Sequence, residues 1–330
     1  MHLRAAGFGA VLIFVAVALG GCQGGGATAP SFDTGTAYPW VTKSSLPLPL
    51  GGLGAAGING SVYAMGAKGL SVDPYRTSVM AYNPAADRWV VRADKPTSRG
   101  SFGVGAADNL MYAIGGFGSL IDDFGRTTVE AYDPSSDTWA TKASLPSDRL
   151  GGAVSGNDHV LFMASSPRGG LFGVDAPKFN ALHAYDSTTN SWTSKPLWPS
   201  GRVNPSLGVV NNIVYVIGGI QLGVGAVDVV EAFDPSTNTW TTKAPLPTAR
   251  SGVAIGVVNN ILYVIGGFDR SSHETPVVEA YDPSTNTWTT KPPMPTARAN
   301  MAIARVNSTL YVIGGSANYK SVTTVEAFTP

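Results

Sequence analysis

The chain has a single cysteine among its 330 residues, Cys22. No disulfide can form within it, so a domain built from it in an oxidising compartment is held by packing alone. Charge is also scarce: Asp, Glu, Lys and Arg make up 13% of the residues, about half the usual share of roughly 25%. The 22 basic and 22 acidic residues cancel. A nucleic-acid partner calls for a basic excess, and the balance argues against one. Histidine is rare. His2 lies in the leader, and His159, His183 and His273 fall in unrelated places without metal-ligand spacing. No nucleophile motif or phosphate-cradling loop occurs, and Gly-rich stretches such as Gly51 to Gly57 read as turns. No cofactor and no metal are expected. What the chain has in quantity is Gly (40) and Pro (23), spread regularly, which signals many short strands and tight turns.

The N-terminus is read first as a targeting segment. His2 and Arg4 precede an apolar run from Ala5 to Leu19. That run is about 15 residues, short of the roughly 20 that cross a bilayer as a helix. The sequence Leu19-Gly20-Gly21-Cys22 then resembles the bacterial lipoprotein box, in which the cysteine carries the lipid. The expected organisation is a signal peptide over 1–21, lipidation on Cys22, and a Gly/Ala/Ser/Thr-rich flexible tether over 22–36. The resemblance implies a membrane anchor in the bacterial cell envelope. Gln23 after the cysteine, rather than Asp, implies sorting to the outer membrane. Two or more acyl chains would hold it stably, since each buried methylene contributes about 0.8 kcal/mol.

Residues 37–330 repeat with a period near 50. Trp40, Trp89, Trp139, Trp192, Trp240 and Trp288 lie 49, 50, 53, 48 and 48 residues apart. A Lys or Arg follows each by three. Before five of them come an aromatic and a turn, as in Tyr132-Asp133-Pro134 and Tyr281-Asp282-Pro283. Farther upstream stand diglycines, Gly115-Gly116, Gly218-Gly219, Gly266-Gly267 and Gly314-Gly315. The first repeat has Gly66-Ala67 there and the third Ala164-Ser165.

Each repeat reads as four strands. In the fifth, these are Gly252 to Val258, Ile261 to Ile265, Val277 to Tyr281 and Trp288 to Lys291, with Asn259-Asn260 as a two-residue hairpin turn. A lone four-stranded sheet cannot bury both faces, so the sheets must stack on one another. Diglycine, Tyr-Asp-Pro, Trp and a Pro-x-x-Arg segment together resemble the kelch repeat. The resemblance implies an all-β, six-bladed kelch-type β-propeller with four-stranded blades.

The chain ends at Val325 to Pro330, after a third strand. Tyr38 to Lys43 looks like a fourth strand with no first three. The strand around Trp40 is therefore expected to complete the sixth blade, which removes two open sheet edges.

Chain direction sorts the loops. Asn-type and Asp-Pro turns lie on one face; loops after the diglycines and between blades lie on the other, where ligand contacts are expected. Ten residues after a tryptophan come Arg99, Arg149, Arg202, Arg250 and Arg298, with Leu50 at the sixth place. These five are expected as an incomplete ring at the channel mouth, binding an anionic protein or glycan through their planar donor forks. In some animal kelch propellers, arginines at matching positions contact acidic peptides. The competing reading pairs them with Glu130, Glu231, Glu279 and Glu326. Met80 and His183 replace that Glu in blades one and three, which singled out Arg99 and Arg202 for a ligand.

Further loop candidates are Asp122, Asp123 and Arg126; Arg168, Asp175 and Lys178, with Phe172 and Phe179 as an apolar lip; and Asp269, Arg270, His273 and Glu274. Copper-radical chemistry, known on kelch-like propellers, needs a cysteine crosslinked to a tyrosine, and Cys22 is committed elsewhere. The expectation is a monomeric, non-enzymatic binding or scaffold module. The alternative is an enzyme resembling periplasmic kelch mutarotases or epimerases that act on acidic sugars, although no catalytic residue can be matched to it.

Overall fold

A computed structural model describes residues 38–48, 53–66, 78–116, 127–146, 149–167 and 181–330, with 149–151 and 166–167 described by backbone alone. Cys22, Leu50, Asp122, Asp123, Arg126, Arg168, Phe172, Asp175, Lys178 and Phe179 lie outside the described residues.

Tyr38–Pro330 is one compact unit. Six four-stranded antiparallel sheets follow one another round a central axis, and each is a blade. Blade five shows the pattern: Ala254–Val258, Ile261–Ile265, Val278–Asp282 and Thr287–Lys291. Asn259 and Asn260 join its first two strands at φ 51 and 62, the doubly left-handed turn that matches strand twist. The first strand starts two residues later than the sequence suggests, because Gly252 takes φ +62 and leaves the ladder. Its second strand is buried along nearly its whole length, which the continuous apolar run Ile261 to Ile265 anticipates.

The diglycine ends that strand for two physical reasons. Gly266 and Gly267 sit at φ +61 and +102, and a Cβ on Gly266 would come 2.5 Å from the Arg298 carbonyl oxygen of the next blade. Blade three, with Ala164-Ser165 instead, runs straight on: its first two strands extend over Arg149–Gly156 and Val160–Pro167.

The sixth blade is assembled from both ends of the chain. Its order is Trp40–Lys43, Val325–Phe328, Thr309–Ile313, Ala302–Val306. Trp40 pairs with Phe328 and Lys43 with Val325. The Trp40 and Phe328 rings lie 4.8 Å apart, and the Thr329 amide donates to the Pro39 carbonyl at 3.0 Å.

The core is a set of six apolar layers, one between each pair of neighbouring blades. The layer between blades six and one joins Val62, Tyr82 and Leu53 to Tyr311, Ile313 and Val325. The ring is therefore closed by packing as well as by strand pairing.

Tryptophan does the same task at every interface. Each indole N–H donates to the carbonyl just after the preceding blade's fourth strand. Trp89 reaches Ser44 at 2.8 Å, Trp139 Ala93 at 3.0 Å, Trp192 Ala143 at 2.8 Å, Trp240 Pro196 at 3.0 Å and Trp288 Ala244 at 3.0 Å. Trp40 reaches Pro292 at 3.1 Å, across the seam.

A second link stands beside it at four interfaces. Tyr82, Tyr132, Tyr185 and Tyr281 donate their hydroxyls to Asp87, Asp137, Asn190 and Asn286. The same side-chain oxygens accept the backbone N–H of Ser44, Ala93, Ala143 and Ala244 in the preceding blade. Where the aromatic is Phe233 or Phe328, which have no hydroxyl, the preceding blade offers Pro196 or Pro292, which have no N–H.

Candidate functional site

The arginine ring is where expectation and structure part. Arg99, Arg250 and Arg298 are fully buried and Arg202 is 2% exposed. They point into the blades, away from the channel mouth. Arg250 is typical. Its Nη1 donates to Gly266 O at 2.7 Å and Val277 O at 2.9 Å, and its Nη2 to Glu279 at 2.6 Å. Arg99 meets Glu130 at 2.5 Å, Arg298 meets Glu326 at 2.7 Å, and Arg202 pairs with Glu231. Thr248 and Thr296 donate to the second carboxylate oxygen of Glu279 and Glu326 at 2.8 Å. Burial lowers the guanidinium pKa of Arg202, Arg250 and Arg298, and the paired Glu pulls it back up.

The planar fork is thus spent on carbonyls freed at the diglycine and on one carboxylate. These four groups hold the inter-blade link to the second and third strands of the blade that follows. They are buried away from solvent and cannot meet a ligand at the mouth.

Singling out Arg99 and Arg202 is corrected for the same reason. Each of these four arginines pairs with the Glu of the blade it leads into, and blades two and four both have one. The blades lacking Glu are entered by Leu50 and Arg149. Arg149 opens the strand Arg149–Gly156, opposite Pro167. His183, in the Glu place of that blade, is 4% exposed and lies 3.3 Å from Ser194 through Nδ1.

The central channel is a cavity of about 800 Å³ walled by the first strands of all six blades. Ala55, Val104, Ile255 and Ile303 also line it, each packing at the same time against an inter-blade layer. Ser101, Asn204, Gly252 and Asn300 ring its mouth on the loop face, all with positive φ, from 47 to 62. Arg305 is the one charged residue among the described lining.

Above the mouth, the loops of blades four, five and six brace one another. Blade four raises the hairpin Ile220–Gln221 and Gly225–Ala226, and blade six raises Ser316–Ala317 and Lys320–Ser321. Between them, Glu274 accepts the Tyr319 amide at 2.9 Å, and the Tyr319 hydroxyl donates to Ser272 O at 2.8 Å. Phe268 and Tyr319 stack at 6.5 Å, and Arg270 stands 3.9 Å from Asp228 of blade four. Asp269 accepts the amides of Ser271 and His273. Leu222, Val224 and Tyr319 are left 56%, 56% and 66% exposed. Of the loop candidates read from sequence, Asp269, Arg270, His273 and Glu274 are thus brought together as the framework of this rim. Leu222, Val224 and Tyr319 were missed, since single apolar residues in Gly-rich loops carry no pattern.

On the opposite face His159 Nδ1 meets the Asp108 carboxylate, and the Ser187 hydroxyl donates to that same carboxylate. A serine nucleophile needs its hydroxyl on the imidazole. Here it is on the carboxylate, and the trio ties blade two to blade three. A cleft of about 630 Å³ opens between blades three and four, lined in part by Asp186, Lys195, Asn212 and Asp234.

The family profile described as the Kelch motif matches residues 98–146, and that described as the KLHDC2/KLHL20/DRC7 Kelch-repeats domain matches residues 168–315. No curated protein sequence matches the chain. It is similar to the solved structure titled "Structure of YjhT", with 17% identity over 85% of this chain and 95% of that one, at a TM-score of 0.70. At that identity the likeness shows the fold alone. Repeat motif, blade architecture and family profiles agree: the chain belongs to the kelch-repeat β-propellers.

Proposed function

We propose that the chain is a lipid-anchored, non-enzymatic binding or scaffold propeller of the bacterial cell envelope, probing for a protein or glycan with its loop face. The observation that carries this is the braced rim of blades four to six. Loops fixed to one another by Glu274 and Tyr319 lose little entropy on binding. They present Leu222, Val224 and Tyr319 to solvent beside an uncharged polar mouth. An aromatic and aliphatic tip on a polar frame suits a protein contact. The anionic preference rested on an arginine ring and lapses with it. Envelope location rests on Leu19-Gly20-Gly21-Cys22.

The test is a panel of purified envelope proteins and acidic and neutral glycans, immobilised and probed with residues 38–330. The expected result is saturable binding of at least one, lost in Leu222→Asp and in Val224→Asp at unchanged melting temperature. Protein-dependent acceleration of anomer exchange in an acidic sugar, followed by NMR, would overturn the proposal in favour of a mutarotase.

A further inference from the structure

The mouth of the channel carries an alternation that turn geometry alone does not require. Two places after each blade-entry arginine, or after Leu50 in blade one, stand Gly52, Ser101, Gly151, Asn204, Gly252 and Asn300 in blades one to six. Glycine and a small neutral polar residue thus take turns round the ring. Blade five shows that glycine suffices for the backbone, since Gly252 holds φ +62. Ser101, Asn204 and Asn300 keep the same left-handed conformation, at φ 47, 51 and 54, with a side chain attached. That conformation is strained for a residue with a Cβ, less so for Asn than for Ser. Blade six also forces the small partner on blade five: a Cβ on Gly252 would come 2.6 Å from Asn300 Oδ1.

Ser101, Asn204 and Asn300 are exposed and line the channel at its mouth. None of the three side chains hydrogen-bonds to another described residue. Deeper in, Ser155 and Ser206 keep the wall polar, and no carboxylate occurs in the described lining. Arg305, the one cation there, is next to last in Ala302–Val306, at the end away from the mouth.

A hydroxyl and two carboxamides each donate and accept, and none carries charge. A charged ligand would find no counter-charge among them. An extended peptide offers its main-chain groups in a row along one edge, whereas these three stand on alternate blades round an axis. A pyranose carries hydroxyls round its whole edge, each both donor and acceptor. We infer that the mouth binds the end of a neutral glycan, one hexopyranose ring held by Ser101, Asn204 and Asn300. This rests on the loop face being the binding face, and it names the ligand class of the mouth; the rim's protein contact is a separate matter.

The probes are the methyl glycosides of glucose, galactose, mannose and N-acetylglucosamine, with methyl glucuronide as the charged control. Each is titrated into isotope-labelled residues 38–330, whose ring closes within those limits, and followed by NMR of backbone and carboxamide N–H groups. The expected result is saturable binding of at least one neutral glycoside, shifting the Asn204 and Asn300 carboxamides, with the glucuronide weaker. Asn204→Gly and Asn300→Gly should each weaken it about fivefold, the worth of one neutral hydrogen bond. Neither should disturb the fold, because glycine adopts this φ freely. Leu222→Asp, on the rim, should leave glycoside affinity unchanged. No saturation by any neutral glycoside up to about 10 mM, tighter binding of the glucuronide, binding indifferent to both glycine substitutions, or binding lost in Leu222→Asp would overturn the inference.

Discussion

Arg250 shows how one side chain converts a repeat motif into a joint. It carries the only charge on its segment, and it is placed where carbonyls of the diglycine turn would otherwise be buried without donors. Removing it strands Glu279. Arg250→Leu should therefore cost about 3–5 kcal/mol, the range for breaking a buried pair from one side. Adding Glu279→Met should return much of that loss, because a well-packed apolar pair often matches a buried ion pair. Blade one already has Leu50 and Met80 at those places. Chemical denaturation of the single and double variants checks this; a double variant as unstable as the single would contradict it.

Asp87 and Asp137 add a pH dependence at the same scale. The Tyr82 hydroxyl and then the Ser44 amide hold the Asp87 carboxyl below its ordinary value, and Tyr132 and the Ala93 amide do so for Asp137. A depressed folded-state pKa gives stability that is present above the unfolded value near 3.8 and lost as pH falls through the folded value. Asn190 and Asn286 do the same job without titrating. Asp87→Asn with Asp137→Asn should melt within a degree or two of the parent at pH 7, by the small effect of such surface exchanges. Below pH 4 it should lose less stability than the parent. An unchanged acid limb would refute the assignment.

At the scale of the element, strands and turns were legible because each is written in short-range chemistry. Asn-Gly, Asp-Asn and Asn-Asn pairs set four of the hairpins, and an apolar run of four or five residues marks each second strand. The Arg–Glu pairing was legible too, once each arginine is counted with the blade it enters. Its burial was not, because the reach of a guanidinium into the next sheet depends on the inter-blade angle. The rim and Arg305 were illegible for a related reason: side-chain direction at a mouth or channel end follows from ring closure, which no local pattern encodes. Two interfaces lack the Tyr–Asx–amide link, and both gaps come as a matched Phe and Pro. Phe233→Tyr with Pro196→Ala should rebuild it onto Asn238 and stabilise by about 1 kcal/mol, the net worth of a hydrogen bond. Either change alone should give less than half of that in a double-mutant cycle. Additive or destabilising outcomes would show that the pairing of Phe with Pro has another cause.

For the whole molecule, closure is the property on which all else rests. Channel, mouth and rim exist only if six blades meet, and the last needs four residues from the other end of the chain. Because Cys22 lies outside 38–330, that span is free of thiols and suits a direct test. Val41 and Ala327 are cross-strand partners, and such partners place their Cβ atoms about 4.5–5.5 Å apart, close enough to bridge with a small backbone shift. The decisive measurement is therefore oxidation of Val41→Cys with Ala327→Cys in residues 38–330, read by thiol titration and by migration without reductant. Closure predicts complete, intramolecular bonding of the monomer and a raised melting temperature. Thiols that stay free, or that link one chain to another, would contradict it.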